Sequence, residues 1–501
     1  MSGGVAALPA LLLAPVGVPV LAALVYAALG WRRGTVWVGT VSAGLVLAAA
    51  VGVACGVVRG GPVGALGGQL RVDALSAFML LVIGAVALLA TAASPAYLAA
   101  EITAGRASAR TAQRHSVLVQ LFLAAMAAAV LAANLGVLWV AIEATTIVTA
   151  FLVGQRRTRA AVEAAWKYVV ICSAGIALAL LGTLVLNAAS ARAPGAAGLD
   201  LAALASHAAG LDPGVTRIAV LLLILGFGTK AGLAPLHAWL PDAHSQAPAP
   251  VSALMSGVLL SVAFYAILRV KLIADGALGP GFARALLVVM ALASLLLAAS
   301  LLVAQRDYKR MLAYSSIEHL GLVALGAAIG GPLALAAVLL QILGHGLAKA
   351  VLFVGAGRIQ QVTGGSLIEG VRGLAARQAT LAGCVGLGVL ALVGLPPFSL
   401  FASELGIARA GFAGGLGWPT AAALVLLLVI GAVLVGHVSR MLLGAPNTPL
   451  DAPGTATAPR RLAPSTAVVL VGGLAACAVL GIAAGPLDVL LRLAAATLGG
   501  A

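Results

Sequence analysis

The sequence predicts an all-α polytopic membrane protein of about fourteen transmembrane helices, and three observations predict it. The first is composition: of 501 residues, 62% are hydrophobic and only 9% charged, and mean hydropathy is +1.14, far from the balance of soluble globular domains. The second is periodic length, since apolar runs of about 20 residues, enough to cross a bilayer as a helix, follow one another with short polar breaks between them. The third is glycine, present 62 times, which lets membrane helices approach backbone to backbone. A formal charge of +15 does not point to nucleic acid. The basic residues sit in short clusters at helix ends, where orientation-setting charge belongs.

Taken in order, the expected spans are residues 8–29, 36–58, 73–94, 116–133, 135–154, 164–187, 216–236, 248–272, 283–304, 310–329, 333–357, 379–408, 419–443 and 466–491. The first run has no charged leader or cleavage site and reads as a retained helix. Residues 1–115 form an N-terminal three-helix segment. Residues 116–272 and 283–443 form two five-helix units, and residues 444–501 supply a linker and a C-terminal helix.

Two spans cannot be continuous. The seventh meets Gly232 and Pro235, and the twelfth meets Gly394, Pro396 and Pro397. Proline removes a backbone donor and clashes with the preceding turn, and glycine weakens the helix beside it. Non-helical backbone at that depth is tolerated only where protein buries it or water reaches it. Each broken helix is fourth in its five-helix unit. Because five is odd, successive units enter the membrane from opposite sides, so the two are expected to be inverted repeats with a site near the midplane.

Orientation follows from summing Lys and Arg on alternate sides. One side, which includes Arg32, Arg106, Arg156, Arg306, Arg358, Arg440, Arg460 and Arg461, collects about 17 charges, and the other about 9. The richer side is cytoplasmic, which leaves both termini outside. Lys167, Lys230 and Lys349 fall within spans and need another explanation.

An ionisable residue inside the bilayer is expensive and is by default a candidate functional group. Glu143 sits near the centre of the fifth span, and Lys230, beside the first break, is its natural partner if the two helices touch. His345 and Lys349 lie four residues apart, one turn on one helix face, positioned to exchange a proton. The plainer reading is a histidine satisfied by a carbonyl and a snorkelling lysine, although snorkelling is hard from mid-span. Glu404 follows the second break. Glu318 and His319 are adjacent and so face different ways, as suited to packing hydrogen bonds as to proton handling. Lys167, near the start of its helix, can simply face the headgroups, but with His237 it also counts among the proton-translocation candidates, which together run through spans 5, 6, 7, 10, 11 and 12 as a lateral hydrated relay requires. His237 lies seven residues before His244, with Pro241 between them and no third ligand type nearby, so no metal site is expected. His437 reads as structural.

The four cysteines, Cys55, Cys172, Cys384 and Cys477, fall in apolar stretches without CxxC spacing. Iron–sulfur, haem and zinc cofactors are therefore not expected, and any redox chemistry would belong to another subunit. No phosphate loop, GxGxxG, HExxH or GxSxG motif occurs in a suitable context.

These residues carry a resemblance over nearly the whole chain. VDALSAF, AAWKYVV around Lys167, GTKAGLAPLHAWLPDAHSQAPAPVSALMSGVLL around Lys230, DYKRMLAYSSIEHLG, GHGLAKAVLF and GLPPFSLFASE resemble the proton-translocating antiporter-type subunits of respiratory complex I, Mrp antiporters and membrane-bound hydrogenases. SSIEHLG and DAHSQAP most resemble the hydrogenase-4 component F and formate hydrogenlyase branch. The resemblance implies a subunit that is not an enzyme alone. It would move H⁺ within an oxidoreductase complex in the plasma membrane, beside other membrane subunits and a peripheral hydrogenase-like or dehydrogenase-like arm. It implies Glu143 and Lys230 as the coupled pair of a first half-channel, Lys349 with His345 leading to the second, and Glu404 as the terminal site. Ser261 departs from the pattern, standing where many relatives have lysine or histidine, which leaves water to bridge the halves. Other readings are a Mrp-type cation/proton antiporter subunit that moves Na⁺, or an anchor or energising subunit of an inorganic-carbon uptake module.

Overall fold

The computed structural model describes residues 11–195, 198–444 and 462–499. The start of the first expected span, most of the linker with Arg460 and Arg461, and both chain ends lie outside the described residues. Among the described residues, twelve helices are long and apolar enough to cross a membrane, and Ala14–Leu29 and Ala379–Leu392 are shorter apolar helices. The protein is an all-α polytopic membrane protein.

In chain order the helices are α1 (Ala14–Leu29), α2 (Val38–Gly60), α3 (Ala74–Thr103), α4 (Ala109–Leu131), α5 (Leu135–Val153), α6 (Arg159–Arg192), α7 (Pro213–Ala231), α8 (Trp239–Gln246) and α9 (Ala249–Leu278). They continue as α10 (Pro280–Val303), α11 (Tyr308–Ile329), α12 (Gly331–Thr363), α13 (Ala379–Leu392), α14 (Ser399–Ala413), α15 (Gly417–Leu442), α16 (Pro464–Ile482) and α17 (Gly485–Gly499). A two-stranded hairpin, β1 (Val63–Ala65) against β2 (Leu70–Val72), separates α2 from α3.

Polar residues start these helices where the apolar runs begin. Asp73, Ser108, Asn134, Thr158, Asp212 and Asp307 each accept from a backbone N–H in the first turn of α3, α4, α5, α6, α7 and α11, satisfying donors that a helix N-terminus leaves orphaned. Asp73 also pairs with Arg269 of α9 at 2.7 Å, which joins the start of α3 to α9. Helices α9 and α12 run through the centre, with their most apolar windows wholly enclosed, whereas α15 and α16 present most of theirs outward.

The seventh expected span is α7 and α8 with the break between them, and the twelfth is α13 and α14. Both breaks are built alike. Gly232 and Gly394 have φ of 79° and 69°, a left-handed conformation that only glycine adopts freely. The following leucine N–H returns to the carbonyl five residues back, Leu233 to Gly228 at 2.9 Å and Leu395 to Leu390 at 3.1 Å, closing a Schellman turn. The backbone groups freed at the first break are satisfied by side chains. Trp239 Nε1 donates to the Thr229 carbonyl at 2.9 Å, and the Ala234 N–H donates to Ser294 Oγ at 2.9 Å. This is how irregular backbone survives in the membrane.

The last expected span, 466–491, is corrected to two helices: α16 stops at Ile482 and α17 starts afresh at Gly485. Gly481, followed by the Gly485-Pro486 pair, accounts for the stop. A Cβ at Gly481 would collide with the Pro397 carbonyl and the backbone of Phe398 and Ser399, so the end of α16 lies directly on the second break. Cys477, one turn earlier, meets Ser399 Oγ at 3.3 Å.

Candidate functional site

The first group of buried ionisable residues is centred on Lys230, in the last turn of α7. The sequence made Glu143 its natural partner, and that contact is not formed. Lys230 Nζ instead donates to Thr146 Oγ1 at 2.9 Å and to Tyr168 OH at 2.5 Å. Thr146 lies one turn along α5 from Glu143, so the same helix face offers both a carboxylate and a hydroxyl. The hydroxyl is the one within reach of the enclosed ammonium. Glu143 stays within electrostatic range of Lys230, and its Oε2 has no hydrogen-bond partner. Tyr168 also hydrogen-bonds Thr149, which donates onward to the Thr145 carbonyl at 2.6 Å. Lys230 therefore feeds a run of hydroxyls, not an ion pair.

The second group is organised by α11, α12 and α14. Lys349 is fully enclosed, and its Nζ donates to the Leu312 carbonyl at 2.6 Å and to Ser315 Oγ at 2.5 Å. One turn earlier on α12, the His345 ring lies 4.9 Å from the His319 ring, centroid to centroid, with Nε2 unpartnered. His319 Nδ1 meets Gln341 Nε2 at 3.0 Å, and Gln341 Oε1 accepts from Ser403. Glu318 is buried with Oε2 unpartnered, and it feels both Glu404 and Lys349. The Glu404 carboxylate occupies the place where a side chain on Gly394 would go. The structure thus brings His345, Lys349, Glu318, His319 and Glu404 together.

Lys167 and His237 stand apart from both groups. Lys167 is half-exposed and pairs with Glu163 at 2.8 Å and Asp242 at 3.1 Å. His237 is partly exposed in the first break, with Nδ1 at 3.2 Å from the Pro235 carbonyl. Asp242 also takes Arg310 of α11, so one carboxylate joins α6, α8 and α11. His437 meets the Leu302 carbonyl at 3.2 Å, a packing bond between α15 and α10.

Sequence reasoning missed His244. It is fully buried on α8 with both ring nitrogens unpartnered, stacks on Phe353 at 5.1 Å, and faces Lys349 and Lys309. At the start of the same short helix, Trp239 packs edge-on against Tyr168 at 5.0 Å. Helix α8 therefore touches both groups. Ser261, where the expected pattern fails, is enclosed with its hydroxyl unpartnered. Lys309, also enclosed, donates to the carbonyls of Ser245 and Ala247 at 2.8 Å each, closing the end of α8. A signal was present for the acids: Gly232-Leu-Ala-Pro and Gly394-Leu-Pro-Pro share a spelling, and each is followed by a carboxylate ten residues beyond its glycine, Asp242 and Glu404.

A helical membrane protein with two broken helices and buried lysines, histidines and carboxylates gathered beside them is an antiporter-like membrane subunit. The chain belongs to the NADH:quinone oxidoreductase/Mrp antiporter membrane family, whose profile matches residues 132–432. It is 38% identical over 371 residues to the hydrogenase-4 component F homolog of Methylacidiphilum infernorum (isolate V4), which covers 74% of this chain and 78% of that one. It is 33% identical over 348 residues to hydrogenase-4 component B of Escherichia coli (strain K12), covering 67% of this chain and 50% of that longer one. Its fold is similar to a chain of the Mrp complex from Dietzia sp. DQ12-45-1b, with a TM-score of 0.85, 25% identity and 98% and 97% of the two chains covered. A chain of the archaeal membrane-bound sulfane sulfur reductase shares the fold at a TM-score of 0.84 over 98% of both chains, with 24% identity.

Proposed function

We propose that this chain conducts protons within a redox-driven, hydrogenase-4-like membrane complex, through the row Glu143, Lys230, His244, Lys349, His345, His319, Glu318 and Glu404. The observation that carries this is the pair of enclosed lysines. Lys230 and Lys349 are each fully buried, and each is held by neutral oxygens with no carboxylate in contact. A merely structural buried charge is costly unless tightly paired, whereas a carrier must be able to gain and lose its proton. The unpartnered atoms of His244, His345, Glu318 and Glu143 extend the row on either side.

On this reading residues 116–272 and 283–443 are inverted units, each with its broken helix fourth, and α8 with His244 and bridging water supplies the crossing that Ser261 does not. Residues 1–115 and 444–501 flank them. Redox chemistry lies on partner subunits, and both termini lie on the non-cytoplasmic side. A cytoplasmic signal from a reporter fused after Ala501 contradicts that orientation. The assembled complex in sealed vesicles tests the path. Lys349→Ala should abolish redox-coupled acidification, while Lys167→Ala, at the half-exposed ion pair, should keep most of it. Normal pumping by Lys349→Ala refutes the path and leaves the anchor reading.

A further inference from the structure

Gln341 sits on α12 one turn before His345 and is fully enclosed. It is neither acid nor base, yet it lies between two groups that are. Its Nε2 meets His319 Nδ1 at 3.0 Å, its Oε1 accepts from Ser403, and the Glu404 carboxylate faces the same amide.

An amide has a donor end and an acceptor end, and only one can face Nδ1 at a time. With Nε2 toward the ring, Nδ1 must accept, so neutral His319 carries its proton on Nε2. That nitrogen points toward the Leu392 carbonyl, at the end of α13, without completing a hydrogen bond. The same orientation offers an N–H to ionised Glu404. A proton arriving at Nδ1 would set N–H against NH₂ and break this arrangement. Turning the amide over presents Oε1 to the new Nδ1–H. That oxygen then confronts Glu404, which is tolerable only if the carboxylate takes up a proton and donates it to Oε1. Ser403 accommodates either orientation, because its hydroxyl can instead donate to the Ser399 or Leu400 carbonyl, 3.1 and 2.9 Å away, while accepting from the turned Nε2.

We propose that Gln341 is a positioning residue whose amide couples protonation of His319 to protonation of Glu404, so that the two sites load and unload together. One proton goes to each site, and the amide exchanges none. The other charged or titratable groups around the pair are His345 and Lys349 on α12 and Glu318 on α11. They act on it through the field, whereas Gln341 faces both members. The proposal deepens the proton-path reading, but its content is an equilibrium property that can be measured without transport.

The test is magnetic resonance on the full chain in lipid nanodiscs, with ¹⁵N-histidine and ¹³C-glutamate labels and assignment by His319→Asn and Glu404→Gln. In the wild type, neutral His319 should be the Nε2–H tautomer. His319 and Glu404 should titrate over one pH interval with a Hill slope approaching about 2. In Gln341→Met, of similar length, both tautomers should appear, and the sites should titrate separately with slopes of about 1. An Nδ1–H tautomer in the wild type overturns the proposal whether or not the variant folds. So does a common steep titration that survives in Gln341→Met. Loss of the proton-path reading in vesicles, with these spectra as expected, would leave the coupling standing.

Discussion

Gly394→Ala perturbs the second break in a way whose size can be worked out. The residue has φ of 69°, where an L side chain costs about 1–2 kcal/mol. Its methyl would land on the Glu404 carboxylate, so Glu404 must swing away from the Gln341 amide. Forcing a packed side chain aside adds about 1–3 kcal/mol. Gly364 provides the control: it is left-handed with φ of 78°, and a Cβ there meets nothing within 4 Å, so Gly364→Ala should show only the backbone cost. Thermal unfolding in nanodiscs should rank Gly394→Ala below Gly364→Ala by roughly that packing increment. In vesicles only Gly394→Ala should impair proton translocation, by tenfold or more, since about 1.4 kcal/mol corresponds to a factor of ten. Equal stability of the two variants, with wild-type pumping by Gly394→Ala, would refute both the placement of Glu404 and its role.

Two further substitutions probe how the first break is held. Trp239→Phe keeps an aromatic ring against Tyr168 but removes the indole donor, leaving the Thr229 carbonyl with the Gly232 N–H alone, and should cost about 0.5–1.5 kcal/mol in equilibrium unfolding; an unchanged transition contradicts the satisfied-backbone account. Lys309→Met keeps the stem and removes the donor to Ser245 and Ala247, and should speed amide hydrogen exchange in α8, with no change there arguing against its capping role.

Hydropathy, glycine and proline made the helices and both breaks legible, because chain length in the bilayer and the geometry of proline act locally. What stayed hidden was tertiary. Thr146 and Tyr168 are ordinary residues in apolar helices, and nothing local says that they, and not Glu143, would hold Lys230. His244 lies beside Pro241 in a polar stretch that reads as a loop, and only the packing of α8 against Phe353 reveals its enclosure. Gln341 passes as one polar residue in a long helix until α11 and α14 close around it. The stop at Ile482 depends on α16 meeting the second break, a contact that hydropathy does not register.

Proton transfer through Lys230 under the influence of Glu143 is the central claim, and a double-mutant cycle tests it most directly. The two groups act through the field without a direct contact, so each should be necessary and their effects should not add. Moving one charge against 100 mV requires about 2.3 kcal/mol, and loss of either group should remove that coupling. The measurement is redox-driven proton uptake by the assembled complex in vesicles, with assembly checked for every variant. The account predicts that Lys230→Ala, Glu143→Ala and the double variant are all assembled and all equally unable to pump. Pumping at the wild-type rate by both single variants would contradict it.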